Sequence, residues 1–220
     1  MANLVGIMGE SGSGKSTSIR SLDPKETFVI NVEGKSLPFR GWKKKYSLIS
    51  KDNPEGNMFS TDRVDTMLKI LKQINTTLKH VKTIVIDDAQ YVMSNEFMRR
   101  ASEKGYEKFT EIGKNFYDIL DFCKGLRSDL NVFILTHTET TDSGLTKFKT
   151  IGKMLDDKVT LEGKFTIVLK TSVVDGKYTF QTQTNGNDRV KSPMGMFDQQ
   201  FIDNDLQLVI DAIKEYEEGE

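Results

Sequence analysis

The chain has a single cysteine among its 220 residues, Cys123, so no intramolecular disulfide can form and a stapled secreted scaffold is excluded. It has no run approaching about 18 uninterrupted apolar residues, so nothing in it reads as a membrane span. The opening MANLVGIMGESGSGK carries no basic segment followed by a long apolar stretch, and no secretory signal is expected. An excess of one charge is missing too: 31 Lys+Arg face 32 Asp+Glu, a net charge of −1. The whole chain is no polycation, and any contact with nucleic acid has to come from a local patch. Charged residues make up 29%, which excludes wholesale disorder. A reducing cytosol is the expected compartment, and Cys123, among Leu120, Phe122 and Leu126, reads as a packed thiol.

What is present is ordinary globular material. The apolar set is 37%, and glycine brings it to about 45%. The length fits one domain over residues 1–220. Segments of period 2 and period 3.6 alternate, which predicts an α/β fold with a mainly parallel sheet flanked by helices. Predicted strands are Leu4–Met8, Thr27–Val32, Thr83–Ile86 and Val132–Leu135. Residues 62–79 carry Val64, Met67, Leu68, Leu71, Ile74 and Leu78 at helical spacing, and a second firm helix is predicted near 113–126. Toward the end, Phe165–Val174 and Lys177–Thr184 flank Asp175-Gly176, a two-residue hairpin signal. A final helix opens at Asn204, with Gln207 three residues on in a capping-box pattern.

Gly9-Glu10-Ser11-Gly12-Ser13-Gly14-Lys15-Ser16, followed by Thr17, fits G-x-x-x-x-G-K-[ST] without a mismatch, between an apolar strand and a predicted helix. Glycines let successive backbone N–H groups converge on phosphate oxygens, and a helix N-terminus adds positive potential. Lys15 is the expected point charge on the β/γ-phosphates of ATP, and Ser16 an expected Mg2+ ligand. The apolar strand 83–86 runs into Asp87-Asp88. Asp87 is the candidate for the metal and Asp88 for orienting water; the alternative for the pair is a cap on the following helix. Glu33, at the end of the second strand, is placed to polarise a water for attack on the γ-phosphate; its alternative is a solvated strand-end carboxylate.

With GESGSGKST, VINVEGK, TIVIDDAQ, FILTHTE and the late RVKSPMGMF in this order, the chain resembles a RecA-like P-loop ATPase core. Within that group it is similar to the small phage-encoded ATPases of single-strand annealing and recombination. The resemblance implies a DNA-stimulated ATPase with ATP and Mg2+ as cofactors, working in the host cytoplasm as an oligomer with the ATP site at a subunit interface. It implies single-stranded DNA as a partner, alongside a single-strand DNA-binding protein. It gives Glu33 the role of catalytic base and Thr136 or His137 that of γ-phosphate sensor. Arg189 and Lys191 become a basic pair inserted into the neighbour's ATP site, worth about 10³–10⁵ in rate. The P-loop starts at Gly9, and no separate N-terminal oligomerisation helix or C-terminal domain of the RecA kind is expected.

The resemblance places DNA loops after the Asp87-Asp88 segment and after Thr136. Residues 95–112 hold Arg99, Arg100, Lys104 and Lys108 against four glutamates, and 139–164 set Lys147, Lys149, Lys153, Lys158 and Lys164 against five acids that include Asp156 and Asp157. Neither has a positive balance, yet their glycines predict mobility, and Tyr106, Phe109 and Phe148 are candidates for stacking on bases. The clearest basic window is 35–51, where Lys35, Arg40, Lys43, Lys44, Lys45 and Lys51 interleave with Phe39, Trp42 and Tyr46 and no acid intervenes. It fits single-stranded DNA, a subunit interface or plain surface. A nucleotide-switched loader or adaptor with slow hydrolysis uses the same motifs. A small-molecule kinase would want an Arg-rich lid, which is not evident. An AAA+ machine normally carries Glu at the position of Asp88 and a helical lid, which sets that class aside.

Overall fold

The computed structural model describes residues 1–152 and 159–219. In chain order the elements are β1 (Asn3–Met8), β2 (Thr27–Asn31), α1 (Trp42–Lys45), β3 (Met58–Ser60), α2 (Val64–Thr76), β4 (Thr83–Asp87), α3 (Tyr91–Arg99), α4 (Glu107–Lys124), β5 (Asn131–Thr136), β6 (Thr138–Thr140), β7 (Thr146–Phe148), β8 (Ile167–Val174), β9 (Lys177–Gln181), β10 (Phe201–Asp203) and α5 (Leu206–Glu218). The large sheet runs β10-β9-β8-β1-β5-β4-β2-β3. From β8 to β3 every pairing is parallel, and β8, β9 and β10 close the other end antiparallel.

The central strands are covered on both faces, which is why they read as continuous apolar runs rather than as alternation. On one face Leu4, Met8, Phe28, Ile30, Ile84, Ile86, Val132 and Ile134 pack with Met67, Leu71 and Ile74 of α2 and with Ile112, Phe116 and Cys123 of α4. On the other, Val5, Ile7, Val29, Val85, Phe133 and Leu135 meet Ile19, Leu22, Tyr46 and the α5 residues Leu206, Val209 and Ile213. Cys123 is buried, and burial pushes its thiol up to about 12, in keeping with a packed, unreactive group.

Three local expectations are corrected. Residues 16–21 after the glycine loop form a six-residue 3-10 turn instead of a regular helix. Ser18 Oγ donates to Lys15 O at 2.5 Å, and the extended Leu22 and the nearby Pro24 end the turn, so no long dipole builds up. The final helix is capped by Asp205 rather than Asn204: the Asp205 carboxylate accepts from Gln207 N at 2.8 Å. The stretch after Thr136, expected as a mobile loop, forms an antiparallel ribbon of β6 and β7. The hairpin is as predicted, with Asp175 and Gly176 at φ 49° and 75°. Among the described residues no helix is long and apolar enough to cross a membrane.

Candidate functional site

The C-terminal ends of β1, β5, β4 and β2 converge on one rim of the sheet, where ligands of open α/β sheets bind. A cleft of about 430 Å³ lies there, and Gly12, Gly14, Lys15, Ser16, Asp87 and Asp88 line it. A larger cleft of about 550 Å³ sits near the N-terminal end of β2, beside Lys25, Thr27 and His80, and contains none of the motif residues. The motif-bearing cleft is therefore the candidate site.

The glycine loop is braced from both sides. Gly9 N donates to Thr136 O on β5 at 3.2 Å, and Thr138 Oγ1 donates to Glu10 Oε1 at 2.6 Å. Ser13 Oγ lies 2.6 Å from Thr171 Oγ1 on β8. A Cβ at Gly9 would collide with that same Thr171 hydroxyl, so the first motif glycine is demanded by close packing. Gly14 needs glycine for another reason, a φ of 99°. Lys15 is buried, its Nζ donating to Gly9 O and Glu10 O at 2.9 Å each, and burial lowers its pKa.

Ser16 and Asp87 meet across the cleft floor, Ser16 Oγ donating to Asp87 Oδ1 at 2.8 Å. Burial, then the charge of Asp88, pushes Asp87 up to about 6. Among the described residues no cluster of three or more His, Cys, Asp or Glu could hold a metal by itself. The hydroxyl and carboxylate form a hard oxygen pair that suits Mg2+, an ion that commonly completes its octahedron with phosphate and water. The residues present fit that ion.

Asp88 takes the left-handed conformation, φ 58°. Its Oδ1 lies 3.5 Å from His137 Nε2 and its Oδ2 accepts from Lys35 Nζ at 3.2 Å. Burial works to raise its pKa, and the His137 and Lys35 contacts outweigh it, so the carboxyl is held below its usual value. His137 reaches this position because β5 is inserted between β1 and β4. Its backbone N donates to Gln90 Oε1 at 3.2 Å. Of the two sensor candidates, His137 lines the cleft, whereas Thr136 is buried and gives its carbonyl to the loop.

Glu33 lies outside the cleft lining: Asn95 Nδ2 on α3 donates to its Oε1 at 2.9 Å, and Lys35 Nζ stands 4.0 Å from its Oε2. Arg189 and Lys191 are exposed and also outside it. The chain beside them is pinned by Asp188, which accepts from Lys170 Nζ at 2.8 Å and Gln181 Nε2 at 2.9 Å.

Several expected DNA contacts are otherwise occupied. Phe148 is 2% exposed and meets Phe165 edge-on, so it cannot stack on a base. Tyr46 is buried with its hydroxyl on Ile19 O and belongs to the core, whereas Lys45 is exposed and its Nζ donates to Arg20 O at 2.5 Å. Lys43 and Lys44 stay exposed. Arg99 pairs with Asp62, Arg100 with Glu96, Glu103 and Glu111, and Lys147 with Glu139 at 2.8 Å. Lys108 is buried and donates to Arg100 O and Glu103 O at the end of α3. Lys149 and Tyr106 are exposed. Lys153, Asp156, Asp157 and Lys158 lie outside the described residues.

Sequence reasoning missed Thr171, Asn95, Tyr178 and Asn204, and the place of Lys35 in the cleft. Tyr178 lines the cleft beside Gly14, and Asn204 packs against the same glycine with neither amide atom hydrogen-bonded. The hairpin signal at Asp175-Gly176 was the one clue that Tyr178 returns toward the loop.

A glycine loop with its lysine, and a serine paired to a strand-end aspartate, define a P-loop NTPase that binds ATP with Mg2+. The chain belongs to the AAA domain family AAA_24, whose match covers residues 2–192, and is a P-loop ATPase domain. This corrects the expectation that set the AAA class aside: the AAA match runs through the P-loop and the Asp87-Asp88 strand end alike. Among solved structures the chain is similar to the genome packaging NTPase B204 from Sulfolobus turreted icosahedral virus 2 in complex with ATP-gammaS. The identity is 11%, the TM-score 0.42, and the match covers 79% of this chain and 76% of that one. No curated protein matches the chain.

Proposed function

We propose that the protein is a phage-type recombination ATPase that hydrolyses ATP while acting on single-stranded DNA as an oligomer. The observation that carries the nucleotide part of this reading is the Ser16–Asp87 hydrogen bond at the floor of the glycine loop. In this reading Lys15 and the loop amides hold the triphosphate, and Ser16 and Asp87 hold Mg2+, which neutralises phosphate charge when bound. Glu33 leaves Asn95 to accept the proton of the attacking water. Arg189 and Lys191 stand outside their own cleft, where groups serving a neighbouring copy belong. Lys43 and Lys44, exposed on α1, are the phosphate contacts for DNA.

The test is ATP hydrolysis with and without single-stranded DNA, with particle size followed under both conditions. Faster turnover together with assembly supports the proposal. Equal turnover by dilute monomer, indifferent to DNA, overturns it. A second reading, a nucleotide-switched adaptor with slow hydrolysis, is favoured by one observation: Glu33 is held by Asn95 outside the cleft lining. Tight ATP binding without a DNA response would select it.

A further inference from the structure

In sequence Lys35 stands at the head of the basic window, yet its side chain lines the same cleft as Lys15, Ser16 and Asp87. The turn that carries it is fixed from below: the buried Asn31 side chain donates Nδ2 to Lys35 O at 2.6 Å, and Val32 N donates to Asp87 O at 3.2 Å. The backbone is thereby anchored to β4 while the side chain remains 59% exposed. Its ammonium lies 3.2 Å from Asp88 Oδ2 and 5.0 Å from the centre of the Tyr91 ring.

The charges in the cleft give this placement a purpose. Asp87 and Asp88 put two carboxylates at its floor, and Lys15 is one cation, already seated on loop carbonyls. A magnesium triphosphate entering there brings further negative charge. Lys35 is the other lysine on the cleft wall. Its partner Asp88 keeps His137 at 3.5 Å when Lys35 departs, so the move strands no carboxylate. A four-carbon stem lets the ammonium relocate by rotamer change alone.

We propose that Lys35 is a phosphate-binding cation supplied by the same subunit, which exchanges Asp88 for the terminal phosphate of ATP and so lets the protein tell ATP from ADP. This rests on the nucleotide reading of the cleft. It differs from the role proposed for Arg189 and Lys191, because Lys35 needs no neighbouring copy.

The experiment compares equilibrium binding of ATP-gammaS and ADP, each with Mg2+, to the full chain and to Lys35→Ala, Lys35→Gln and Lys35→Arg, with thermal melting as a check on folding. Lys35→Ala and Lys35→Gln are expected to lose roughly tenfold in ATP-gammaS affinity with ADP affinity within about twofold, the scale of one charge-assisted hydrogen bond. Lys35→Arg should keep most of the preference. An equal loss for both nucleotides, or no loss for either, overturns the proposal. Mixing Lys35→Ala with Lys15→Ala chains tests the subunit of origin. At ATP concentrations below the affinity of Lys35→Ala, turnover of the mixture above the sum of its two components would mean that Lys35 serves a neighbour, against the proposal, and turnover equal to that sum agrees with it. Wild-type protein that binds neither nucleotide would remove the nucleotide reading together with this one. Wild-type selectivity that survives in Lys35→Ala removes only the role of Lys35.

Discussion

Ser16 Oγ and Asp87 Oδ1, separated by 71 residues in the chain, lie 2.8 Å apart at the floor of the cleft. Parallel pairing aligns β4 with β2 and β5, and β5 with β1, which brings the two strand ends together. Replacing Asp87 with Ala should therefore remove the Mg2+-dependent part of ATP affinity. The expected loss is about 100-fold, about 2.8 kcal/mol, read by titrating nucleotide with and without Mg2+. Lys15→Ala should abolish turnover, read as phosphate release from ATP. Affinity that is equal in both media for wild type and Asp87→Ala would separate Asp87 from the metal.

The second prediction concerns the carboxylate held by Asn95. Glu33→Gln should bind ATP at wild-type affinity and cleave it about 10²–10⁴-fold more slowly, the usual weight of a general base, in a single-turnover assay. Asn95→Ala frees the Glu33 carboxylate from its 2.9 Å bond and should change the cleavage rate without weakening ATP binding. Full activity in Glu33→Gln would falsify the assignment.

Third, the three exposed lysines of α1 should not behave alike, because Lys45 is bonded to the carbonyl of Arg20. Neutralising Lys43 and Lys44 should flatten the salt dependence of single-stranded DNA binding by about 0.7 in log–log slope per lost phosphate contact. Lys45→Ala, which breaks a bond to Arg20 O, should instead lower the melting temperature. An unchanged salt slope in the double variant removes the patch from DNA contact and leaves a subunit interface or plain surface.

A fourth expectation is one of stability. Gly9→Ala drives a methyl group into the Thr171 hydroxyl and should cost about 1–3 kcal/mol, measured by denaturant midpoint. Adding Thr171→Ala should recover part of that loss. If the two changes simply add, the steric explanation fails.

Much of this fold is legible in the chain because buried strands and amphipathic helices carry their own periodicity. The strands ending in Met8 and Asp87 and the hairpin at Asp175-Gly176 all lie where pattern places them. The phosphate loop is legible for a similar reason, since its function is built from consecutive residues. What local sequence cannot carry is a partnership between distant side chains. Nothing near Glu33 announces Asn95, nothing near Ser13 announces Thr171, and Asn204 gives no hint that it packs under Gly14. Aromatic residues are not legible in this way, because a ring among lysines looks alike whether it faces water or the core. Tyr46 and Phe148 prove to be core residues, whereas Tyr106 is open to solvent.

The hydroxyl pair of Ser13 and Thr171 joins the triphosphate-gripping turn to a strand that runs on into an exposed tip, Val173 to Gly176. The residue that braces the turn and the solvent-facing hairpin end therefore belong to one continuous strand.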